Sequence, residues 1–581
     1  MLNRLASPSP TWAHPGRPAF SCHRAPDRQN RPALNHRLKR LLAAAITLWF
    51  ILLVAPLGYA GAAPAADVGQ AIYLHGVRGD GQPLRAQRMD GMRIEGADAA
   101  CVNCHQRSGL GAKEGNKSIP PITARYLFHP RASQRKDLAL PYVEGIRADR
   151  EPYTDATIAR AVRDGLGSEG KPLDYLMPHF ELDDADMDAL IAYLKHLDQR
   201  KVPGVTDTVL HFATIITPDA DPVKRAGMLA VLEKFFTSKN AYSRAPAPRL
   251  ASTRTMMFKT NRRWQLHVWQ LDGPADTWQS QLKRHLAKEP VLAVISGLGG
   301  RNWAPVHAFC EQAALPCLFP NVEAPPANAD RDFYSLYFSR GVLLEAGLIA
   351  QDILNPGGGK MAKKVHQIYR AGDSGESGAL ALASILRRSG IEVENHALPD
   401  GAAGRGMGSA MRQASHADTL VLWLRPGDLT ALASQPVPPA DIFMSGLLGG
   451  LEGAPLPPSW RERTHMAYPF GLPKQRLINV DFALGWFRIR QIPVVDLQVQ
   501  SDTYLACGLL SETLNRMADT FTRDYLVERV QGMLEHRILT GYYPRLSLAA
   551  GQRFASKGGY LVHFSEGSGV PVVADQNWLV P

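Results

Sequence analysis

Cysteine pairs and several other patterns that would narrow the class of this chain are scarce or missing. Six cysteines occur among 581 residues, with a single Cys-x-x-Cys pair, so the second pair of ligands that a zinc knuckle needs does not follow. No glycine-rich loop of the lysine-containing, nucleotide-binding type occurs either. Tracts of low complexity are absent from a composition that is 45% hydrophobic and 20% charged. The chain is therefore a globular protein of more than one domain.

Positive charge is concentrated at the N-terminus and is nearly balanced elsewhere. The formal net charge is +11, but residues 1–65 hold eight Lys or Arg and one acid, and so contribute +7. The other +4 is spread over the rest of the chain. No basic groove is implied, so nucleic acid is not an expected partner.

The N-terminal segment has the layout of a secretory signal. Residues 1–36 are rich in Pro and Arg without periodicity, and we expect a disordered extension there. In residues 37–65, basic residues precede an apolar run from Leu41 to Ala60 and small residues follow it, as in a cleaved signal peptide. The run is also about long enough to cross a bilayer. An uncleaved anchor therefore stays open, and only then is a membrane a partner; both alternatives predict an exported, periplasmic protein.

Five adjacent residues, Cys101-Val102-Asn103-Cys104-His105, form the attachment signature of a c-type haem. The spacing brings both thiols to one edge of the macrocycle for thioether bonds, and the next residue points its imidazole at the iron. A redox dithiol would not require the trailing histidine. We therefore predict one covalent haem on Cys101 and Cys104, with His105 as an iron ligand.

A sixth iron ligand is expected in the loop ahead of the last helix of this region. Met177-Pro178 lies there, just before the amphipathic pattern of residues 183–194. A Met thioether prefers ferrous iron and raises the potential. The alternative for Met177 is a core-filling role. The other candidate ligands are Met89, Met92, His129 and His179.

Residues 67–202 resemble the class I cytochrome c family. The resemblance rests on Gly69-x-x-x-Tyr73, the Cys-x-x-Cys-His motif, Met177-Pro178 and Tyr193. It implies an all-α domain around one low-spin haem, and helices are expected over 67–75, 154–165 and 183–194. It also implies a proline carbonyl that accepts the proximal imidazole proton, for which Pro120 and Pro121 are both candidates. The segment 129–150 departs from the family and is expected to be a surface insertion.

Pro203-Gly204 interrupts regular secondary structure and marks a domain boundary. Beyond it, apolar strands alternate with helices, and this pattern predicts a parallel sheet covered by helices on both faces. We expect strands at 211–216, 264–271, 291–295, 318–319, 365–369 and 419–424, and helices at 222–237, 277–288, 304–314 and 375–389. Residues 207–581 are too long for one such sheet, so a two-lobed α/β domain is predicted.

We expect different roles for the cysteines outside the haem motif. Cys310 and Cys317 are close enough in sequence for a disulfide in an oxidising compartment, although a helix end and a strand start present poor geometry for one. Cys507 is expected to be a buried small hydrophobe. Cys22 lies in the N-terminal extension.

The second half resembles the type I periplasmic binding-protein fold of the branched-chain amino acid receptors. The resemblance rests on the opening strand and helix, on Ser296-Gly297-Leu298-Gly299-Gly300, on Phe338-Ser339-Arg340 and on residues 546–554 before a final hairpin. It implies a small-molecule ligand in the cleft between the lobes, at the carboxyl ends of the strands. The candidate ligand-binding residues are Gly299, Arg301, Asn302, Ser339 and Arg340, with Asp373 and Ser374 as weaker candidates. Gly, Arg and Asn replace the hydroxyls with which the family holds a ligand carboxylate, so a changed ligand, or none, is inferred.

These observations favour an electron carrier over an enzyme. The favoured function is a periplasmic monohaem cytochrome that moves electrons between donor and acceptor proteins, as an accessory to a periplasmic dehydrogenase. The alternative is a redox-linked solute receptor or transport component, in which ligand affinity and haem potential affect each other. A haem peroxidase needs an open iron site or a second haem, and the single motif and Met177 argue against it.

Overall fold

The structure is a computed structural model that describes residues 65–114, 117–128, 150–197, 201–244, 262–356, 361–517, 520–534, 540–549, 551–565 and 571–581. The predicted extension, nearly all of the signal segment, Cys22, His129 and the insertion up to 149 lie outside these residues. Residues Ala63–Pro581 form one compact unit. None of the helices in the described ranges is both long enough and apolar enough to cross a membrane.

The three predicted helices of the haem domain are confirmed. The helices of this region are α1 Ala65–His75, α2 Val102–His105, α3 Ala124–Leu127, α4 Asp155–Asp164 and α5 Asp184–His196. The Thr154 side chain accepts the Thr157 N–H at the start of α4, and Gly165 ends that helix in the left-handed conformation. Asp183 caps α5 by accepting the Asp186 N–H.

The expectation of an all-α domain is wrong, because this region also holds short antiparallel strands. They are β1 Arg85–Gln87, β2 Arg93–Glu95, β3 Lys113–Glu114, β4 Lys117–Ser118 and β5 His179–Glu181. The strand order β2-β1-β5 places buried Ala86 opposite Ile94 on one side and Phe180 on the other. Strands of two or three residues are too short to show alternation in the sequence, which is why the sequence does not predict them.

The first lobe is the parallel α/β layer that the sequence predicts. Its elements are β6 Val209–Ile216, α6 Pro222–Arg244, β7 Arg263–Gln270, α7 Trp278–Lys288, β8 Ala293–Ile295, α8 Ala304–Gln312, β9 Cys317–Leu318 and β10 Ser335–Leu336. The strand order is β10-β9-β8-β6-β7, with every pairing parallel. Buried apolar strands under helices explain the continuous hydrophobic runs.

The second lobe repeats this order and extends it with an antiparallel hairpin. Its elements are α9 Val342–Leu354, β11 Lys364–Arg370, α10 Ser374–Arg388, β12 Glu392–Leu398, α11 Met407–Gln413, β13 Thr419–Trp423, α12 Pro426–Thr430, β14 Asp441–Ser445, α13 Gly446–Gly449, α14 Pro458–Arg461, β15 Thr464–Tyr468, β16 Tyr560–Phe564 and β17 Val572–Ala574. The order is β12-β11-β13-β14-β15-β16-β17. The predicted two lobes and final hairpin are both confirmed.

Three helices follow β15 in the chain and return to the first lobe. They are α15 Pro473–Ile489, α16 Leu497–Arg516 and α17 Arg523–Gln531. Helix α16 packs against α6, and the Thr503 hydroxyl lies 2.8 Å from the Ser296 hydroxyl after β8. Residues of both lobes and of α16 and α17 share one continuous hydrophobic core, so the lobes are tied together at their base.

Within the described residues, the three cysteines outside the haem motif form no disulfide and are fully buried. Cys310 and Cys317 are unlinked thiols that hydrogen-bond to each other, so they do not form the disulfide that their sequence spacing left open. Cys507 is 0% exposed within the core, which confirms the expectation of a buried small hydrophobe.

Candidate haem site and interlobe cleft

The Cys-x-x-Cys-His motif folds as a single helical turn. Cys101 precedes α2 and His105 ends it, and the chain then turns through Gln106 at φ 62°. The His105 ring is 7% exposed, and its Nδ1 lies 3.0 Å from the Pro120 carbonyl oxygen. A carbonyl can only accept, so Nδ1 carries the proton and Nε2 keeps its lone pair. Burial lowers the pKa of His105 to about 4, so the imidazole is a neutral metal-ligand group at neutral pH.

Between the two candidate prolines, the structure selects Pro120 as the partner of His105. The segment ending at Pro120 comes close because Gly111 has no side chain: a Cβ there would lie 2.0 Å from the Ile119 carbonyl oxygen. Gly111 also has φ 75°, which favours glycine. The bond to Pro120 orients the ring and raises its basicity.

The groups around this turn fit a covalent haem. Cys101 and Cys104 form no disulfide, and they lie in the same helical turn as the imidazole of His105, whose Nδ1 bonds to Pro120. Burial raises the pKa of the Cys101 thiol to about 12, so it is not a reactive surface thiolate. The apolar core beside the motif includes Val102, Ile122, Leu127, Phe128 and Met177. Two thiols, one imidazole and apolar walls are what a thioether-linked porphyrin requires.

Among the candidate sixth ligands, Met177 has the placement closest to the prediction. It lies in the turn before β5, with its N–H bonded to the Asp174 carbonyl at 2.9 Å, and its partly buried side chain packs on the haem-domain core. Met89 and Met92 are 62% and 47% exposed at the β1–β2 hairpin. The His179 ring packs against Gly165, and His129 lies outside the described residues. Met177 as the sixth ligand stays a prediction.

Helices α1 and α5 cross closely, and this crossing is hydrogen-bonded to the residue that follows the haem-attachment motif. A Cβ on Gly69 of α1 would lie 2.1 Å from the Ala189 carbonyl oxygen of α5, so only glycine allows this approach. One turn on, the Tyr73 ring lies 5.2 Å from that of Tyr193. The Tyr73 hydroxyl donates to the Gln106 carbonyl at 2.6 Å, which links the crossing to the residue after His105.

The loop after His105 is bound to helix α17 of the second half. Ser108 donates its N–H to Glu528 Oε1 at 3.0 Å and its hydroxyl to Oε2 at 2.5 Å. The Arg107 guanidinium lies 4.6 Å from the Phe333 ring centroid, a cation–π contact. Burial raises the pKa of Glu528 to about 8. No sequence signal predicts this contact, because its partners are 420 residues apart.

The interlobe cleft contains a small cavity that involves only part of the predicted site. Gly299 and Ser339 line it, whereas Arg301, Asn302 and Arg340 do not. Asn302 instead accepts the Ala304 N–H at the start of α8, and Arg340 pairs with Asp330. The cavity of about 60 Å³ is far smaller than the roughly 300 Å³ or more of typical ligand pockets.

Charged residues bridge the lobes at this cleft and include the weaker candidates Asp373 and Ser374, whereas Glu323, Arg425 and Lys224 were not predicted from the sequence. Arg425 donates to Glu323 Oε2 at 2.6 Å and to both oxygens of Asp373 at 2.7 Å. The Ser374 hydroxyl donates to Glu323 at 3.0 Å, and Lys224 lies 3.4 Å from Glu323. Although burial opposes ionisation, these bonds and the charges of Arg425 and Lys224 lower the pKa of Glu323 to about 2. Charged side chains of the protein, paired with one another, thus occupy the cleft beside the cavity.

The motif turn, the His105–Pro120 bond and the helix crossing define a c-type cytochrome domain. Residues 89–198 match the family described as cytochrome c. The predicted cytochrome c resemblance is therefore confirmed. A comparison with curated proteins finds no significant match.

Solved structures of substrate-binding proteins are similar to about two thirds of this chain. A fatty acid ABC transporter substrate-binding protein from Thermomonospora curvata is 14% identical with a TM-score of 0.47, over 66% of this chain and 95% of that one. A branched chain amino acid ABC transporter from Thermus thermophilus with bound valine is 11% identical with a TM-score of 0.49, over 65% and 97%. A substrate-binding periplasmic protein from Ralstonia solanacearum is 13% identical with a TM-score of 0.47, over 63% and 100%. The two-lobed fold of the present chain rests on its own sheet order and register, described above.

Proposed function

We propose that the chain is an exported electron-transfer protein with one haem c bound to Cys101 and Cys104 and ligated by His105 and Met177. The observation that carries this proposal is the bond from His105 Nδ1 to the Pro120 carbonyl at 3.0 Å. It leaves the Nε2 lone pair of a buried imidazole in the same helical turn as two cysteines that form no disulfide. The sequence contains one such motif, which supports a single haem.

When bound, the haem supplies a one-electron iron couple. The residues of the chain bind and orient the haem iron and do not themselves change oxidation state. Pro120 keeps His105 in one tautomer and one orientation, and the apolar side chains of the domain core exclude water. A Met ligand at Met177 favours ferrous iron and so raises the potential. Periplasmic donor and acceptor proteins, a dehydrogenase among them, are the proposed partners, and the signal pattern of residues 37–65 supports export.

The proposal is tested on the protein purified from the periplasm of an expressing cell. Mass spectrometry and the pyridine haemochrome spectrum should give one covalent haem per chain; a chain exported without haem contradicts the proposal. Voltammetry then measures the midpoint potential of the parent and of Met177→His. The replacement should lower the potential by on the order of 100 mV, within the ~0.8 V range that axial ligands span. Met92→His, at an exposed position, is the matched control and should leave the potential unchanged.

A second candidate function, a redox-linked solute receptor, is favoured by the contact between Ser108 and Glu528. It connects the loop after the haem ligand to the domain that carries the cleft, which is the physical link that reciprocal coupling needs. A native mass spectrum of the mature protein shows whether a dissociable small molecule is bound. If one is found, adding it at saturation should shift the midpoint potential; an unchanged potential excludes this function.

A further inference from the structure

Three potential metal ligands meet on the outer strands of the second lobe, away from the haem motif. His366 lies on β11, and Glu394 and His396 lie on the edge strand β12. The parallel register pairs His366 directly with Glu394 and pairs Ile368 with His396. Side chains two residues apart on a strand share a face, so the three groups converge on one face of the sheet.

The ligand atoms have spacings that suit a metal ion. His366 Nδ1 lies 2.7 Å from His396 Nε2, and Glu394 Oε2 lies 3.8 Å from the first atom and 4.0 Å from the second. A metal ion at equal distances from the three ligand atoms would lie at the centre of the circle that passes through them. The radius of this circle, calculated from the three distances, is about 2.1 Å. This radius matches zinc–nitrogen and zinc–oxygen bonds of ~2.0–2.2 Å. The imidazoles now share a hydrogen bond with their ring planes 18° apart. Both rings have to tilt for a metal to replace the shared proton.

Hydrogen-bonding and charged neighbours orient two of the three potential ligands. Gln413 Oε1 lies 3.0 Å from His396 Nδ1; because Oε1 accepts, Nδ1 donates and the lone pair of Nε2 faces the other ligands. Lys364 pairs with Glu394 Oε1 at 2.5 Å, so Oε2 is left facing the imidazoles. The Nε2 atom of His366 is buried without a hydrogen-bond partner.

The first lobe contains the same histidine pair, but the carboxylate beside it contacts a different nitrogen: Glu289 Oε2 lies 3.4 Å from His267 Nδ1, whereas His267 Nε2 faces His211. His211 on β6 and His267 on β7 occupy the equivalent register, with Nδ1 and Nε2 3.0 Å apart. Gln265 stands opposite His211, where Glu394 stands opposite His366. A histidine pair is therefore a repeated packing feature of the two sheets, whereas the carboxylate that completes a three-ligand set occurs in the second lobe.

We infer that His366, Glu394 and His396 form a binding site for a divalent first-row transition metal such as Zn²⁺, with water completing the coordination. Two imidazoles and one carboxylate are the donor set that suits zinc and its neighbours rather than Ca²⁺ or Mg²⁺, which take oxygen ligands. Glu394, with a side chain 41% exposed, opens the site to solvent, and His366 at 1% anchors it in the sheet. The site is independent of the haem.

Zinc titration of the chelator-treated haem protein tests this inference. Zn²⁺ is the probe because it is redox-inactive and leaves the haem oxidation state unchanged. Calorimetry and equilibrium dialysis should show one zinc per chain that is bound at least tenfold more weakly by Glu394→Gln and by His396→Gln. His267→Gln in the first-lobe pair is the matched control and should bind zinc like the parent. Zinc X-ray absorption should show nitrogen and oxygen ligands near 2.0–2.1 Å, two of them imidazoles.

Each other outcome overturns the inference. Zinc binding that survives both lobe-two variants places the ion elsewhere, and a loss shared equally by His267→Gln reflects a general disturbance of the sheets. Absence of binding at micromolar zinc also refutes the site. Because Glu394 is a partly exposed side chain on an edge strand, Glu394→Gln should unfold like the metal-free parent in denaturant, and this comparison separates lost ligation from misfolding.

Discussion

Replacing Gly69 with alanine should destabilise the haem domain, because this position is where α1 crosses α5. A Cβ would lie 2.1 Å from the Ala189 carbonyl oxygen and 2.8 Å from Tyr193 Cβ, whereas ordinary contacts begin near 3.4 Å. The helices must therefore move apart by more than an ångström. Overpacking of this kind costs roughly 1–3 kcal/mol, and the higher helix propensity of alanine offsets about 1 kcal/mol of it. Because the clash is with backbone atoms rather than with the end of a flexible side chain, we expect the upper part of that range, about 2–3 kcal/mol, and so a net loss of about 1–2 kcal/mol.

The matched control is Gly485, another glycine inside a helix. A Cβ at this position of α15 meets no atom within 4 Å, so Gly485→Ala should stabilise its surroundings by about 0.5–1 kcal/mol through helix propensity alone. Glycine-to-alanine substitution is thus expected to change the free energy of unfolding in opposite directions at the two helical sites. The difference between the two changes gives the cost of the steric clash separately from the gain in helix propensity.

Denaturant unfolding with two probes separates the two effects. Haem absorbance reports on the haem domain, and tryptophan fluorescence reports on the lobes, because residues 65–197 contain no tryptophan. Gly69→Ala should lower the midpoint of the haem-monitored transition, and Gly485→Ala should raise that of the fluorescence transition. If Gly69→Ala leaves the haem transition unchanged or raises it, the close crossing of α1 and α5 is wrong.

Two further substitutions test contacts between distant parts of the chain. Burial raises the pKa of Glu528 from its ordinary 4.5 to about 8. The folded state therefore holds the proton more tightly, and stability should fall as pH rises from about 4.5 to 8, by at most about 5 kcal/mol. Glu528→Gln should flatten this dependence in urea unfolding between pH 5 and 9, and an unaltered slope would contradict the assignment. Arg425→Ala removes the interlobe partner of Glu323 and should cost about 1–3 kcal/mol, discounted because Arg425 is 41% exposed. Arg516→Ala, in an exposed helix pair, should cost less than about 0.5 kcal/mol, and equal losses for both arginines would refute the bridge.

Local patterns predicted most elements well. The Thr154 cap, the Gly165 stop and the acidic first turn of α5 are short-range signals, and each marks a helix boundary in the structure. The buried strands β6 and β13 read as apolar runs because both sheet faces are covered. The short strands of the haem domain were missed, since two or three residues show no alternation, and the pairing of β1 with β5 also joins residues about 90 positions apart.

The cleft shows that resemblance alone does not determine which side chains line a cavity. Sequence position placed Arg301, Asn302 and Arg340 at strand ends, but side-chain partners decide whether such residues face a ligand. Arg340 pairs with Asp330, and Asn302 accepts the N–H of Ala304, the first residue of α8. Glu323 and Arg425 were not singled out because neither has a distinctive local motif, and they meet 102 residues apart.

The sequence by itself determined the class of cofactor, the order of domains and most helices and strands. These features depend on contiguous residues: two thiols and an imidazole within five positions, or a periodic run of apolar side chains. Tertiary structure alone decided that Pro120 receives the His105 proton, that Glu528 holds the loop after the haem motif, and that His366 meets Glu394 and His396. Such contacts form when packing buries apolar surface and brings distant polar groups within bonding distance. Their partners are separated along the chain by 15 to 420 residues, so no local pattern encodes them.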